Sequence, residues 1–446
     1  MNVPYVPTQM TFGVSRNHGE FEWSGQAEGI FAQRENLYSL RMWRMIFDIV
    51  RFNQFALDVL GDDIPAANGH ADVKLNGAKK QMSIGEYLER EGYSQAFKDD
   101  YLIPMTAAVW STSPDKASLD FPAITLIRFM WNHHLLSTIS TRPTWYTIPG
   151  GSQKYIDAIL ARGHAHIHTS SAVKEIIRSK SGGQHQVVTR DGTTRHFDHI
   201  IVATHGDEIL PLLQPSQSQT PLEEEILSNF TTTQNTCYLH SDLTFMPKRR
   251  AVWTAWNYLI SSSPSQEAHP AGVSLTYWMN DLQHIPEHVF GPVLVTMNPE
   301  HPPEPSKTQG KFNYTHPLYT VEAVSAQERM HEIQGVNGIS YVGAWTKYGF
   351  HEDGFSSGVK AAMDLGAKIP FKFVDSTYSR GRKPVRTTKD QLVRSAVLFI
   401  QYLIVFGEWL RSWPIVFWFL AVLAEAHDTL MEIIEGERGN WRCKLD

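Results

Sequence analysis

Apolar and polar residues alternate across residues 10–25 (Met10, Phe12, Val14, then Phe21 and Trp23) around Asn17-His18-Gly19, and this period of two predicts a β-hairpin. Over residues 30–60 the period changes. Leu37, Leu40, Trp43, Ile46, Phe47 and Val50 recur at helical spacing, which predicts an amphipathic helix with arginines on its other face. After a loop over residues 61–80, Ser83 with Glu86 three positions on carries the signature of a helix start. Helices are expected to continue through Trp110 and again over residues 122–137.

Pro149-Gly150-Gly151 breaks this pattern and leads into a helix over residues 153–161. Strand-like runs follow at 166–173, 174–178, 186–189 and 196–199, the last two flanking an Asp191-Gly192 turn. The unbroken apolar run at 200–204 predicts a strand covered on both faces. Between residues 230 and 319, short β-branched and aromatic runs alternate with Pro and Gly, which predicts an antiparallel sheet. Its aromatic residues Trp253, Trp256, Tyr258, Tyr277 and Trp278 are either core or the wall of an apolar pocket.

Residues 338–366 read as a short strand, a glycine at 343, a polar and aromatic loop, and a helix expected to start at Gly354. The first amides of a helix lack intrahelical partners and carry the positive end of its dipole, so they can hold a partial negative charge. Ser356, Ser357 and Gly358 would let a flat ligand approach closely. Ordinary packing in an α/β protein accounts for such a junction equally well.

Beyond residue 369 the pattern changes again. Arg380, Arg382, Lys383, Arg386 and Lys389 form a basic linker, followed by apolar runs of 13 residues each at 395–407 and 412–424, separated by Glu408 and Arg411. Each run is too short to span a bilayer alone, and joined they place charges at its centre. A monotopic or hairpin anchor bent near Trp413-Pro414, with the linker at the cytoplasmic face, satisfies both limits; the alternative is a helical hairpin packed on the globule.

Composition narrows the function classes. The 446 residues are 42% hydrophobic and 19% charged, which describes a folded chain, with two lobes expected at this length. A net charge of −6 argues against a dedicated nucleic-acid binder. Cys237 and Cys443 stand far apart, so neither a disulfide framework nor a zinc site is implied, and a reducing compartment fits. The tightest histidine cluster, His164, His166 and His168, has no Cys, Asp or Glu at ligand spacing, so no metal is expected. The N-terminus lacks a charged start followed by an apolar run, so no secretory signal is expected and the globular part is placed in the cytoplasm.

Gly343 and Thr346 at the strand end, with Ser357, Gly358, Ala361 and Ala362 on the helix, match a Gly-x-x-Thr then Ser-Gly-x-x-Ala-Ala pattern. The segment resembles the C-terminal flavin motif of the FAD-dependent amine oxidase-like superfamily. Other motifs occur in the order of one branch: Met10-Thr11-Phe12, the run FKDDYLIPM at 97–105, Val109-Trp110-Ser111, Pro149-Gly150-Gly151-Ser152, Ala203-Thr204-His205, Trp256-Asn257-Tyr258, the run TYWMN at 276–280 and the run GFHEDG at 349–354. Over residues 5–368 the chain resembles the predicted NAD/FAD-binding oxidoreductases often found beside cyclopropane fatty acid synthase-like enzymes.

The resemblance implies an α/β (α+β) fold: an incomplete FAD-binding Rossmann-like domain with an inserted helical and antiparallel-sheet substrate domain, plus a C-terminal apolar helical hairpin. Its expected parts are a mainly helical cap (1–145), the second part of the FAD domain (146–212), the substrate sheet (213–335), the C-terminal FAD motif (336–370), the linker (371–392) and a membrane-associating tail (393–446). FAD is the implied cofactor, and hydride transfer from a lipophilic substrate the implied reaction. By position, Val173 would contact the adenine and Thr204 the diphosphate, while Gly343, Thr346, Gly354, Phe355 and Gly358 would bracket the flavin. His351 and Glu352 are the candidate catalytic residues, Asp353 is expected to cap the helix, and Trp256, Tyr258, Tyr277 and Trp278 are the candidate substrate wall.

Two departures stand out. No Gly-x-Gly-x-x-Gly turn, which cradles the FAD pyrophosphate in the family, occurs before residue 60, and Gly343-Ala344-Trp345-Thr346 replaces the Gly-Glu-x-Thr of many amine oxidases. A second reading therefore stays open: a non-redox accessory or lipid-binding protein, or a flavin-assisted isomerase. The expected partners are a lipophilic small molecule and a membrane, with no nucleic acid and no metal.

Overall fold

The structure, a computed structural model, describes residues 2–60, 82–110, 117–136, 143–163, 165–179, 182–260, 273–374, 380–381 and 384–411. A short strand, β1 (Val6–Thr8), precedes the expected hairpin of β2 (Phe12–Arg16) and β3 (Phe21–Ser24), whose turn places Asn17, His18 and Gly19 at positive φ. Helix α1 (Leu40–Phe55) follows, with the Ser39 hydroxyl accepting the Met42 amide at its start.

The buried face of α1 differs from the expected one. Met42, Met45, Asp48, Arg51 and Phe52 are buried, while Leu37, Leu40 and Trp43 are exposed. The reason is local ion pairing. Asp48 accepts from Arg44 at 3.2 Å and from the Ser94 amide at 3.0 Å, with Arg51 at 3.6 Å, so its charge is paired inside and can be buried beside Met42, Met45 and Phe52. The apolar residues on the remaining faces are then free for another use.

Helix α2 (Ile84–Arg90) opens on the predicted capping box, with Ser83 and Glu86 bonded reciprocally. Helix α3 (Ile103–Trp110) continues a π-helical turn at Lys98–Leu102, and α4 (Ala123–Asn132) packs beside them. Strand β4 (Trp145–Thr147) pairs with β1, and α5 (Gln153–Leu160) follows. Residues 165–172, which include His166 and His168, form no strand; His164 lies outside the described residues.

Strands β5 (Val173–Ile177), β6 (His185–Thr189) and β7 (Thr194–Phe197) form an antiparallel meander, closed by Asp191 and Gly192. Strand β8 (Ile200–Val202) leads to α6 (Gly206–Leu213) and α7 (Pro221–Leu227). Its expected double cover is corrected: Ile200 and Val202 are buried, but Ile201 is 41% exposed. Strands β9 (Thr232–His240), β10 (Trp256–Ile260), β11 (Val273–Trp278), β12 (Leu294–Met297) and β13 (Thr308–Pro317) precede α8 (Val321–Arg329). Strand β14 (Ile339–Tyr341) runs parallel to β8 and feeds α9 (His351–Asp364).

The large sheet has the order β13-β9-β12-β11-β10-β2-β3, antiparallel throughout except for β10 beside β2. The N-terminal hairpin therefore completes the sheet, which is not confined to residues 213–335. One core joins α1 to α4 with β2, β3 and β10, and a second joins β5, β8, α6, α7, α8 and β14. In the second, Arg178 makes two bonds to the Glu223 carboxylate, which also accepts the Tyr341 hydroxyl.

The chain divides into two compact units, Met1–Pro384 and Val385–Asp446. The described part of the second is a single helix, α10 (Thr388–Arg411). It starts earlier than expected, so 20 residues, 388–407, are long and apolar enough to cross a membrane, which corrects the view that this run is too short. The second apolar run at 412–424 and the bend near Trp413-Pro414, and with them the hairpin, lie outside the described residues.

His240 in β9 gives the fold a pH signature. It is fully buried, its Nδ1 accepts the Asp242 amide at 3.1 Å, and its Nε2–H therefore donates to the Thr296 hydroxyl at 2.7 Å. Burial pushes its pKa down to about 4, against a smaller upward pull from Asp242. The unfolded chain takes up this proton at about pH 6.5, the folded chain only at about 4. Stability should therefore fall as pH drops through that window, with a slope of about one proton from this residue. In His240→Gln, denaturant titrations across the window should show a shallower slope; His133, His134, His185 and His316, also shifted down by burial, contribute in the same direction.

Candidate functional site

A cavity of about 560 Å³ lies between the large sheet and the helices of the first unit. The sheet supplies an aromatic row. Trp256 of β10 is register-paired with Phe12 of β2 on one side and Tyr277 of β11 on the other, so the three rings fall side by side on the face turned to the helices. Helix α1 contributes Ile46, Ile49, Val50 and Asn53, α3 contributes Met105 and Val109, and α4 contributes Phe129. The apolar stripe of α1 thus continues into the cavity wall.

Two of the four expected wall residues, Trp256 and Tyr277, line this cavity; Tyr258 and Trp278 do not. Tyr258 shares the face of Trp256 but lies two residues deeper, 2% exposed, in the row with Val14 and Leu275. Trp278 follows Tyr277 directly, so strand alternation turns it to the opposite face. There it packs edge-on against Trp253, with the Arg250 guanidinium 4.7 Å from its ring centre.

Among the described residues the lining holds no Asp, Glu, Lys or Arg; its polar groups come from Thr11, Asn53, Tyr101, His133 and Tyr277. Sequence reading missed His133, which carries no spacing signal among twenty histidines. It follows the last residue of α4, with Nδ1 2.9 Å from the Phe129 carbonyl. A carbonyl only accepts, so Nδ1 bears the hydrogen and Nε2 is the basic nitrogen. Burial holds its pKa below the usual value, opposed by the Phe129 carbonyl and by nearby Asp353, so the ring is neutral at neutral pH. Phe129 stacks on it at 4.1 Å, and Phe350, which leads into α9, lies at 5.8 Å.

Helix α9 begins at His351, three residues before the expected start. The Asp353 carboxylate accepts the amides of Tyr348 at 3.2 Å and Phe350 at 3.0 Å and so caps an earlier first turn, the role expected of it. Burial raises its pKa. The amides of His351 and Glu352 are the ones left without an intrahelical acceptor. Gly343, at φ 152, donates its amide to the Ser357 hydroxyl at 2.9 Å and accepts the Thr346 hydroxyl at 2.8 Å, which ties the end of β14 to the helix.

The remaining expected residues divide between this junction and its surroundings. The Thr204 carbonyl, after β8, accepts the Trp345 indole at 3.0 Å, and Val173 packs at the edge of the second core. Phe355 is 44% exposed. The candidate catalytic residues stand outside the cavity lining, both exposed: His351 meets the Tyr155 hydroxyl at 2.7 Å, and Glu352 accepts the Ser356 hydroxyl at 2.9 Å.

The three glycines differ in what they serve. A Cβ on Gly343 would run into the Trp345 indole, so this glycine is needed by the chain itself. A Cβ on Gly354 would sit 3.5 Å from the Ala344 amide, an ordinary contact, and one on Gly358 would meet nothing within 4 Å. Packing does not require these two glycines, and they leave a bare strip along the first turns of α9. That strip and the helix start fit the pyrimidine end of a flavin. Among the described residues no group of three His, Cys, Asp or Glu is placed to hold a metal ion.

Comparison with known proteins agrees with this geometry. The model of the flavin containing amine oxidoreductase family matches residues 25–366. Among solved structures, the CLA-producing fatty acid isomerase from P. acnes is similar, with a TM-score of 0.52 and 13% identity over 82% of this chain and 81% of that one. Wild-type putrescine oxidase bound to putrescine is similar too, with a TM-score of 0.50 and 10% identity over 82% and 83%. At such identities the likeness is one of fold. No curated protein sequence matches the chain.

The glycine assignment is open to direct measurement. Gly343→Ala should cost on the order of 2 kcal/mol or more, from its strained φ and the clash with Trp345. Gly358→Ala should stabilise the ligand-free chain by up to about 1 kcal/mol. Urea unfolding of both variants decides it, and equal losses would show that Gly358 is a packing glycine after all.

Proposed function

Because the chain belongs to the flavin containing amine oxidoreductase family, we propose that it is an FAD-dependent oxidoreductase whose reacting substrate group is uncharged and lipophilic, of the acyl-chain or secondary-metabolite type. One observation carries the substrate class: a cavity of about 560 Å³ whose lining, among the described residues, has no Asp, Glu, Lys or Arg and a single histidine held neutral. An ammonium group held there would be desolvated with no counter-charge, a cost of several kcal/mol. A hydrocarbon segment meets aromatic and aliphatic walls instead. The fatty acid isomerase of like fold supports the idea that such an architecture can accept a fatty acid.

Bound FAD would supply the two-electron acceptor. Around it the chain's own groups divide the work. Gly343, Thr346, Gly354, Phe355 and Gly358 would hold the flavin against the start of α9, where the amides of His351 and Glu352 stabilise negative charge. Phe12, Trp256 and Tyr277 orient the chain of the substrate and exclude water. Nε2 of His133 is the cavity's proton acceptor, neutral and ready at physiological pH. His351 and Glu352 stay candidates for proton exchange on the solvent side of α9, through the Tyr155 hydroxyl. Val173 and Thr204 are proposed for the adenine and diphosphate ends. Helix α10 is proposed to associate the protein with a membrane, the globular unit on the cytoplasmic side.

A second reading, an accessory lipid-binding protein or a flavin-assisted isomerase, is favoured by the lack of a Gly-x-Gly-x-x-Gly turn among the described residues. Gel filtration of the protein with added FAD, then anaerobic addition of the acyl substrate, separates the readings. Flavin absorbance retained by the wild type, lost in a stably folded Gly358→Leu variant and bleached by the substrate supports the first; retained absorbance without bleaching points to the isomerase, and a colourless wild type to the accessory protein. For the substrate class, an uncharged acyl-ester probe should bind at least about a hundredfold more tightly than the alkylammonium of equal length. Equal affinities would sink the assignment.

A further inference from the structure

Large apolar side chains face outward in the first turn of helix α1 and in the residues just before it. Leu37, Tyr38, Leu40 and Trp43 are 43, 88, 85 and 48% exposed. They form one patch: Leu40 and Trp43 share a helix face, and the Trp43 indole donates to the Leu37 carbonyl at 2.8 Å. The patch does not end at the surface. Trp43 packs on Phe31 at 5.4 Å, the next residue inward is Ile30 on the cavity wall, and one turn along α1 from Trp43 stands Ile46, also on that wall. Arg34 in the same stretch is exposed, and Arg41 and Arg44 are partly exposed while bonded to Asp100 and Asp48; the exposed acids there are Glu28 and Glu35.

We propose that this face of α1 seats in the surface of an anionic lipid bilayer and is the entrance through which a lipid-borne substrate reaches the cavity, a step that rests on the lipophilic-substrate reading. Three observations commit the face to lipid. Exposed aromatic and aliphatic groups beside arginines match the headgroup boundary of an anionic membrane. Phe31, packed on Trp43, and Ile46, one turn from it, lead from the patch to the cavity wall, which suits transfer of a chain that water would not carry. The same polypeptide carries in α10 an apolar helix long enough to cross a membrane.

Two measurements on the full chain test this. Spin labels at Tyr38→Cys and Leu40→Cys, with Cys443→Ser, should lose access to a water-soluble relaxant when phosphatidylcholine–phosphatidylglycerol vesicles are added, while a label at Val289→Cys should not. Cys237 is buried. Labels that stay as accessible as the Val289 control overturn the docking. In the second, Leu40→Asp should slow uptake of the acyl-ester probe from those vesicles at least about tenfold while leaving uptake from dilute solution unchanged. The substitution is mild for the fold, since Leu40 is exposed and an acid in the first turn of a helix is favoured by the dipole. Unchanged uptake from vesicles overturns the entrance. A wild type that takes up no probe from solution instead defeats the substrate reading and the entrance with it, leaving the labels to decide the docking alone.

Discussion

Asp100 is the point on which the cavity depends. Its carboxylate is buried between Arg16 of β2, with a closest approach of 2.6 Å, and Arg41 of α1, also at 2.6 Å, and its carbonyl accepts the Trp23 indole of β3 at 3.1 Å. One residue thus joins the N-terminal hairpin, the first long helix and the turn that leads into α3. Phe12 and Trp23 can line the cavity because the hairpin is fixed at this position, and Ile46 and Val50 can face it because α1 is. Such a cluster is a poor source of net stability, since desolvation offsets most of the attraction. Its effect is specificity: breaking one partner would leave a buried charge, so the elements have one good arrangement.

The same logic explains the orientation of α1. Asp48 pairs with Arg44 and Arg51 and accepts the Ser94 amide, so charged groups can be buried beside Met42, Met45 and Phe52. The helix has to serve the core with these three apolar residues and the cavity with Ile46, Ile49 and Val50. Internal ion pairing resolves the conflict. The sheet resolves it differently, giving successive rows of one face to cavity and core, so that Trp256 meets the ligand space and Tyr258 the packed interior.

Much of the fold was legible in the sequence. The hairpin at Asn17-His18-Gly19, the capping box at Ser83 and Glu86, the antiparallel runs after residue 230 and the strand–glycine–helix junction at Gly343 each rest on local chemistry, and the structure has them where that chemistry placed them. What could not be read depends on contacts distant in sequence. Periodicity says which residues of α1 share a face, but the partners of Asp48 and Asp100 decide which face is buried. Alternation separates Tyr277 from Trp278, yet which of the two meets the cavity follows from where the helices pack. The start of α9 moved three residues because Asp353, expected to cap the helix, does so from within its first turn by reaching back to the Tyr348 and Phe350 amides. His133 gave no signal because its neutrality comes from burial under Phe129 and Phe350.

These features bear on how one family can host different substrates. The junction of β14 with α9 is built from backbone amides, hydroxyls and glycines, and it makes no demand on what is oxidised. The cavity is built from separate elements, the row Phe12-Trp256-Tyr277 and the stripe of α1, so its polarity can change without disturbing the junction. A cationic amine is held best by a carboxylate, which aromatic faces replace only in part. Among the described residues this lining offers aromatic faces but no carboxylate, and its one histidine is held neutral. An imidazolium could accept no proton, so the neutral ring is the form able to serve as a base in the proposed reaction. On that proposed reading the uncharged walls and the depressed histidine are one adaptation: the burial that would suit the cavity to a lipophilic substrate also keeps Nε2 of His133 unprotonated.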